Sequence, residues 1–374
     1  MPVLPQVVFW LSAAAPVYAY IGYPVVLVLL ALVIRRRVHR APFEPTISLL
    51  IPAYNEADVI EAKIRNCLEL DYPADRLEIV IACDGSKDNT PEVARRRADG
   101  DRIRVLAFPV NRGKIATLNE GVRHCRGDIV VFSDATAFLY RDSVRRLVMN
   151  FADPQVGAVS GRYTVVKADD VGIGKSEDFY WKYETFLKKK ESEIASTLGG
   201  HGHLHAIRRE LYPFPPPGTI NDDYVIPVSV LARQYRAVYE PAAVVYEEAH
   251  EMAGFGRRVR IMAGNFQQLR EIKGILWPFR PLPVFFFLSH KGSRLLVPFA
   301  MLTALGANLF LLSSPLYLSL FWIQVVFYGM ALLGTVWKLR PKTLLLPFYF
   351  CMINAATFFG AYHALTSRRR MAWK

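Results

Sequence analysis

Apolar and polar positions alternate in blocks through the middle of the chain. Short apolar runs rich in β-branched residues are separated by segments with the spacing of amphipathic helices. The runs occupy residues 46–52, 77–83, 102–108 and 128–133, and the helical segments lie at about 56–70, 88–98 and 114–125. Because the runs are apolar throughout, they predict strands covered by helices on both faces. We therefore predict an α/β fold with a doubly wound, mostly parallel sheet.

Longer apolar runs occur at both ends of the chain. Residues 4–34 carry no charge, and this length is enough for a helix to cross ~30 Å of hydrocarbon. Residues 295–337 form a 43-residue run without a charge, interrupted by Ser313, Ser314 and Pro315, and they predict two spans joined by a hairpin. Residues 343–365 predict a further span. A cleaved signal peptide is the alternative for the first run, but residues 1–5 lack its basic start.

Charge sets the expected orientation of these spans. The chain has 374 residues, is 52% apolar and carries a net charge of +13, and basic residues flank the spans. They include Arg35, Arg36, Arg37, Arg40, Lys291, Arg294, Lys338, Arg340 and Lys342. The positive-inside rule places them in the cytoplasm, so we predict an integral protein of the plasma (inner) membrane with a cytoplasmic α/β domain. Basic residues beside spans meet anionic headgroups, so membrane lipids are expected partners and nucleic acid is not.

These runs divide the chain into four predicted regions. They are a transmembrane anchor at 1–40, the α/β domain at 41–250, a basic interfacial helix region at 251–293 and C-terminal transmembrane helices at 294–374. Four simple crossings would leave the basic residues 368–370 and Lys374 outside, against the positive-inside rule. Either the last run does not cross, or one crossing is miscounted.

Polar residues follow the predicted strands at the edge where parallel sheets bind ligands. The segments are PAYNE (52–56), CDGSKDNT (83–90), NRGKIATLNEG (111–121) and SDAT (133–136). A lone Asp or Ser after a strand is commonly a helix cap, but four such segments together indicate a polar crevice. A crevice with Lys114 and carboxylates suits a phosphate ligand with a divalent metal. Asp134 would supply the oxygen ligand that Mg²⁺ or Mn²⁺ prefers.

The order of the motifs resembles a known family. The succession IPAYNEADVI, ACDGSKDNT, NRGKIATLNEGV, DIVVFSDA, INDD and RRVRI, followed by apolar spans, is similar to family 2 glycosyltransferases in the cellulose, chitin and hyaluronan synthase branch. The resemblance covers about residues 46–270. It implies a GT-A fold, which is Rossmann-like with a mostly parallel sheet. It also implies an inverting hexosyltransferase that moves a sugar from a nucleotide-sugar, usually a UDP-sugar, to a growing polysaccharide or other glycan acceptor.

The resemblance assigns residues to the donor side of the site. Its motifs imply nucleotide-sugar contacts from Pro52, Tyr54, Asn55, Glu56, Asp84, Gly85, Lys114, Ser133, Asp134 and Arg258. Lys114 would lie near the phosphates. Asp134 matches the first acid of the metal-binding Asp-x-Asp motif, while Thr136 occupies the second position. The motif therefore implies a site for Mg²⁺ or Mn²⁺ with one protein carboxylate.

The segment TINDDYVIP (219–227) matches the Thr-Glu-Asp element of the family. Asp223 takes the position of the catalytic base and Asp222 that of the preceding acid, and inversion at C1 needs a base for the acceptor hydroxyl. An N-cap of a helix over 224–234 is the alternative for Asp223, and both roles are compatible. Arg260 matches the arginine of Gln-x-x-Arg-Trp and would stabilise the departing diphosphate.

The same resemblance bears on the acceptor. Arg257 and Ile261 stand where synthases carry the Gln and Trp that hold a growing chain. Single transfer to a lipid-linked acceptor is therefore an alternative to polymerisation, and a non-catalytic membrane scaffold is a third possibility. Segment 198–211 matches the acceptor segment of the family, and its His201 is an expected sugar contact. Arg257 is a second expected sugar contact. Trp181, on a helix expected at 177–191, would stack on the acceptor or serve as core packing. The alternation of His201, His203 and His205 also allows a metal cluster.

Overall fold

A computed structural model describes residues 3–166, 173–248, 255–271, 279–336 and 342–366. The chain forms two compact units. Among the described residues, the sheet unit comprises those within Leu30–Glu251 and Arg270–Pro283, and the helical unit comprises those within Met1–Leu29, Met252–Leu269 and Val284–Ser367. The predicted domain boundary at 250 and the basic residues Lys338, Arg340, 368–370 and Lys374 lie outside the described residues.

The sheet unit is built on one mixed sheet. Its strands are β1 (Ile47–Ala53), β2 (Leu77–Asp84), β3 (Ile103–Phe108), β4 (Ile129–Phe132), β5 (Phe138–Leu139), β6 (Val156–Val166), β7 (His205–Arg208) and β8 (Arg236–Glu248). Their order is β3-β2-β1-β4-β7-β6-β8-β5. The pairs β1–β2, β1–β4, β2–β3 and β6–β8 are parallel, while β7 pairs antiparallel with both β4 and β6. The four strands predicted from the apolar runs are confirmed as the parallel half of the sheet.

Helices cover both faces of this sheet. They are α3 (Ile60–Leu68), α4 (Thr90–Arg95), α5 (Lys114–His124), α6 (Ser143–Val148), α7 (Ile173–Ile194) and α8 (Asp222–Ala232). Successive residues of β1 point to opposite faces, so Leu49 joins a core with Ile64 of α3, and Leu50 joins a second core with Leu118 of α5. The α/β prediction, with helices on both sides of a mostly parallel sheet, is confirmed.

The helical unit contains the apolar ends of the chain. Its helices are α1 (Val3–Val17), α2 (Tyr23–Val33), α9 (Phe255–Glu271), α10 (Pro281–Phe286), α11 (Ser293–Leu309), α12 (Pro315–Val336) and α13 (Lys342–Thr366). A π-helical turn at Tyr18–Gly22 joins α1 to α2, and another at Phe287–Gly292 joins α10 to α11. The end of α9, from Arg270, and the start of α10, up to Pro283, belong to the sheet unit.

Two helices in the described part of the chain are long and apolar enough to cross a membrane. They are Val3–Val33, with 31 residues and a mean hydropathy of 2.0, and Pro315–Thr335, with 21 residues and 1.8. Both present large apolar side chains on their surfaces, such as Leu32 at 78% and Leu332 at 68% exposure. The sequence predicts four crossings. The one in the first half of the 295–337 run and the one over 343–365 stay predictions, and the helix α11 in the first of these has only 17 residues.

Candidate active site

The loops after β1 and β2 are joined by hydrogen bonds at the carboxyl edge of the sheet. The side-chain oxygen of Asn55 accepts from the backbone N–H of Lys87 at 2.8 Å, and the Asn55 N–H donates to Ser86 Oγ at 3.2 Å. The Glu56 N–H donates to Thr90 Oγ1 at 2.8 Å. Asn55 has φ +57°, a left-handed conformation that Asn tolerates better than most residues. The structure thus brings the predicted residues of both loops together.

Asp84 and Gly85 hold the loop that leads into α5. The carboxylate of Asp84 is fully buried and accepts from the N–H groups of Arg112 at 2.9 Å and Gly113 at 2.8 Å. Gly85 has φ +64°, and a Cβ there would lie 2.3 Å from the backbone N of Asn111. These two residues fix where α5 begins. Their direct contact with a nucleoside stays a prediction.

Lys114 links two carboxylates from distant parts of the chain. It is the first residue of α5, and its Nζ lies 2.8 Å from Asp134 Oδ1 and 3.2 Å from Asp222 Oδ2. Burial alone would lower the pKa of Lys114, but the two carboxylates raise it above its ordinary value. Burial would raise the pKa of Asp134, but Lys114, with a smaller effect from His203, keeps it low. Lys114 and Asp134 are therefore charged together.

The surroundings of Asp134 carry further negative charge. Burial, Asp134, Asp88 and Glu247 together raise the pKa of Glu56 to about 7. Within the described ranges, no group of three His, Cys, Asp or Glu side chains is arranged to hold a metal. These residues fit a divalent cation that takes one carboxylate from the protein and other ligands from a bound diphosphate, as Mg²⁺ often does. Asp134, 27% exposed, is the carboxylate that would hold it.

The two acids that open α8 face different neighbours. Asp222 Oδ2 faces Lys114, whereas Asp223 lies against the segment that precedes β7. A Cβ at Gly202 would lie 3.7 Å from Asp223 Cβ and 3.9 Å from its Oδ2, and the Gly200 N–H donates to the Asp223 carbonyl at 2.5 Å. The alternative in which Asp223 is the N-cap of a helix over 224–234 does not fit, because α8 begins at Asp222 and its N-cap is Asn221.

Two of the predicted acceptor residues, Trp181 and His201, lie in an aromatic cluster with Tyr163 and Tyr239. The Trp181 ring lies 5.2 Å from that of His201, whose Nε2 is 3.2 Å from the hydroxyl of Tyr239. Tyr163 contacts Trp181 at 4.9 Å and stacks on His203 at 4.2 Å. The packing alternative for Trp181 thus has a structural basis, and its stacking on an acceptor stays a prediction.

The three alternating histidines do not converge on one point. His201 meets Trp181 and Tyr239, and His203 lies 3.5 Å from Glu247 Oε2. The His205 ring stacks on Phe132 at 4.7 Å, and burial lowers its pKa to about 4. Each ring has a different environment, so the arrangement does not support the metal-cluster alternative.

The other predicted site residues lie at the end of β1, directly after β4 and on α9. Pro52 is buried in β1, and Tyr54 is half-buried just after it. The hydroxyl of Ser133 accepts from the ammonium of Lys63 at 2.8 Å. Arg257, Arg258 and Arg260 lie on α9 of the helical unit. The roles of these arginines stay predictions.

Several neighbours of the site were not predicted from the sequence. Glu247 at the end of β8 accepts from the Tyr163 hydroxyl at 2.9 Å and contributes to the raised pKa of Glu56. The contact between Lys114 and Asp222 joins residues 108 positions apart. Neither Glu247 nor Asp222 follows one of the four strands that the apolar pattern predicts. The spacing of the motifs therefore gave no signal that these two residues approach Glu56 and Lys114.

Comparison with known proteins identifies the region that holds the strand-end loops and Lys114 and Asp134. Residues 48–213 match the family model described as glycosyl transferase family 2. Poly-β-1,6-N-acetyl-D-glucosamine synthases from Staphylococcus aureus (strain MSSA476) and Staphylococcus epidermidis are 27% and 25% identical over 230 residues. That region is 60% of this chain and 55% of each relative, so the chain spans about half the length of the curated relatives it matches.

One solved structure is similar along almost the whole chain. It is a mannosyltransferase from Pyrobaculum calidifontis in complex with GDP-mannose and Mn²⁺. It is 26% identical, with a TM-score of 0.72, and the match covers 97% of this chain and 100% of the other. The similarity extends over the helices at both ends as well as the sheet.

Proposed function

Because residues 48–213 are a family 2 glycosyltransferase domain of the GT-A type, we propose that this chain is a membrane-bound, inverting glycosyltransferase. It moves a hexose from a nucleotide-sugar to a hydroxyl of a glycan acceptor. The observation that carries the proposal is the divergence of Asp222 and Asp223. One acid faces the Lys114–Asp134 side and the other faces the glycine segment at Gly202.

The donor side supplies charge where the leaving group departs. The ammonium of Lys114, held between Asp134 and Asp222, is rigidly placed for the diphosphate. A divalent cation at Asp134, Mn²⁺ or Mg²⁺, would neutralise the remaining charge of the diphosphate. The excess of carboxylates around Glu56 supports such a cation. We expect Arg260 to stabilise the same leaving group.

The acceptor side supplies the base. Asp223 takes the proton of the acceptor hydroxyl as its oxygen forms a bond to C1 of the donor sugar. The bond between C1 and the diphosphate oxygen breaks, and its electron pair leaves with the nucleoside diphosphate. Attack from the face opposite the leaving group inverts the configuration at C1. His201 and Trp181 are the proposed sugar contacts.

The proposed donor is a UDP-sugar and the proposed product a polysaccharide, since the named relatives are poly-N-acetylglucosamine synthases. Transfer of mannose from GDP-mannose is the second candidate, because the mannosyltransferase structure matches over the full length. Single transfer to a lipid-linked acceptor fits Arg257 and Ile261 on α9. Sizing of radiolabelled product separates a long polymer from a single-sugar adduct.

A donor panel tests the proposal directly. Purified protein is incubated with UDP- and GDP-sugars in Mn²⁺, Mg²⁺ or EDTA, and nucleoside diphosphate release is measured. We expect release from one donor, loss of release in EDTA, and a fall of at least ~10²-fold in Asp134→Asn, the size typical of removing one electrostatic contact.

The matched control is Asp128→Asn. Asp128 precedes β4 at its opposite end and accepts from Thr46 Oγ1 at 2.7 Å, so its loss should leave release near the wild-type rate. Full activity in EDTA, or in Asp134→Asn, would contradict the metal role. No release from any donor would favour the scaffold alternative.

A further inference from the structure

A lysine lies inside the apolar core beneath the loop that carries Asp134. Lys63 is on α3, on the helix face that also holds Ile60, Ile64 and Cys67, and its side chain is fully buried. A buried amine that forms no hydrogen bonds is costly, and an apolar side chain would fill the same space without that cost. The presence of lysine here therefore calls for partners.

Both named partners of Lys63 belong to one turn. Its Nζ donates to Ser133 Oγ at 2.8 Å and to the carbonyl oxygen of Ala137. The turn is closed by a hydrogen bond from the Ala137 N–H to the Asp134 carbonyl at 3.2 Å, and the Ser133 N–H donates to Leu50 O at 3.2 Å. Lys63 thus ties the first and last residues of the segment 133–137, and Asp134 is the second residue of that segment.

The two hydrogen bonds do not depend on the charge of Lys63. Burial lowers the pKa of its ammonium, while the negative charge of Asp134 opposes the shift. An amine keeps two N–H donors when it is neutral and has three when it is charged. In either state Lys63 has enough donors for both acceptors.

We propose that Lys63 is a positioning residue that holds the 133–137 turn so that the Asp134 carboxylate points at the cation and diphosphate. The inference rests on the proposed function and extends it to a residue outside the strand-end loops. Lys114 contacts the Asp134 carboxylate itself, whereas Lys63 bonds to the Ser133 hydroxyl before it and to the Ala137 carbonyl after it. Partners of this kind typically change metal affinity by ~10- to 100-fold when they are removed.

The variant Lys63→Met tests this role. Methionine is apolar, unbranched and of similar length, so it can fill the buried space without donating to Ser133 or Ala137. We expect the Mn²⁺ concentration for half-maximal nucleotide release to rise at least ~10-fold, equivalent to about 1.4 kcal/mol. In calorimetry, binding of the donor's nucleoside diphosphate, UDP or GDP, should weaken by the same factor in Mn²⁺ and stay unchanged in EDTA.

Asn66→Ala is the matched control on the same helix. The Asn66 side chain also bonds to the segment after β4, with its amide N donating to Leu139 O and its Oδ1 accepting from the Leu139 N–H, both at 2.8 Å. Its loss should lower the melting temperature and leave the Mn²⁺ constant within twofold of wild type. A purely structural lysine would behave in the same way as Asn66.

A second variant covers the case in which Lys63→Met does not fold. Lys63→Gln keeps two N–H donors on a shorter side chain, and we expect its Mn²⁺ constant to rise at least threefold. A wild-type Mn²⁺ constant in the folded variants, with active wild-type protein, would overturn this inference alone. A wild-type protein that releases no nucleotide from any donor would instead overturn the proposed function.

Discussion

At the scale of single residues, adjacency in the sequence separates two acids in space. Successive helical side chains point about 100° apart, so Asp222 and Asp223 leave the first turn of α8 in different directions. Asp222 joins Lys114 and Asp134, and Asp223 lies beside Gly202. Both acids stand in the first turn of α8, at the N-terminus of the helix. The base role of Asp223 stays a proposal, supported by its position beside Gly202 of the predicted acceptor segment.

The variant Asp223→Asn tests that assignment. Asparagine keeps the size of the side chain but cannot accept the acceptor proton, so we expect the transfer rate to fall ~10²- to 10⁴-fold. Nucleotide affinity in Mn²⁺ should stay close to wild type, because Lys114 and Asp134 are unchanged. Stability should fall only by the ~0.3–1 kcal/mol of a lost charge at a helix N-terminus.

Asp222→Asn is the internal control for this prediction. It removes one of the two carboxylates beside Lys114, so we expect it to affect nucleotide affinity more than Asp223→Asn does and to cost less in transfer rate. Transfer rate, nucleotide affinity and melting temperature are measured on both variants. Near-wild-type transfer by Asp223→Asn would show that another group is the base.

At the scale of elements, the start of α5 depends on the turn after β2. A Cβ at Gly85 would meet backbone atoms of Asn111 and Val110 at 2.3 and 2.4 Å, and these atoms cannot move without displacing Lys114. Gly85→Ala should therefore cost about 2–4 kcal/mol from left-handed backbone strain and the steric conflict together. It should also weaken nucleotide binding.

Gly100→Ala separates those two effects. Gly100 has φ +82°, but a Cβ there would have no atom within 4 Å, so only the backbone penalty of about 1 kcal/mol applies. We expect a smaller fall in melting temperature and normal nucleotide binding. Equal losses of stability in the two variants would show that the contact with 110–111 does not hold α5.

The apolar pattern predicted the elements of the parallel half well because β1, β2 and β4 are buried on both faces, while β3 at the edge is apolar but only partly buried. β1, for example, is buried at every position from Ile47 to Ala53. The other half was harder to predict. β7 has only four residues and pairs antiparallel between β4 and β6, so neither its length nor its neighbours follow from a βαβ pattern. The pair of Lys114 with Asp222, and the position of Glu247, depend on that second half.

At the scale of the whole molecule, contacts within the helical unit define its two ends. Trp10 Nε1 donates to the Tyr317 hydroxyl at 3.1 Å, and Phe9 contacts the same ring. The start of α1 and the start of α12 therefore lie at one end. A Cβ at Gly360 of α13 would lie 2.6 Å from Met262 Cβ of α9. This contact favours the alternative in which the last apolar run does not cross, because α9 follows the predicted cytoplasmic domain.

The end marked by Trp10 and Tyr317 should face away from the cytoplasm. Val3–Val33 is about 46 Å long at 1.5 Å per residue, which is enough to cross with some tilt. Arg35, Arg36 and Arg37 follow it, and the positive-inside rule predicts that they lie on the inner side. We therefore expect Ser313→Cys, in the exposed turn before α12, to react with an impermeant thiol reagent added to intact cells. Asp75→Cys, whose native side chain is 82% exposed in the sheet unit, should react only after permeabilisation.

Both variants are made in a Cys351→Ser background, because Cys67, Cys83 and Cys125 are buried and only Cys351 is partly accessible. The parent protein without an added cysteine gives the baseline, and labelling of permeabilised cells shows that each new thiol can react. The same experiment on both positions distinguishes orientation from poor reactivity. Labelling of Asp75→Cys in intact cells, with Ser313→Cys protected, would reverse the orientation and separate the site from the cytoplasmic pool of nucleotide-sugars that the proposed function uses.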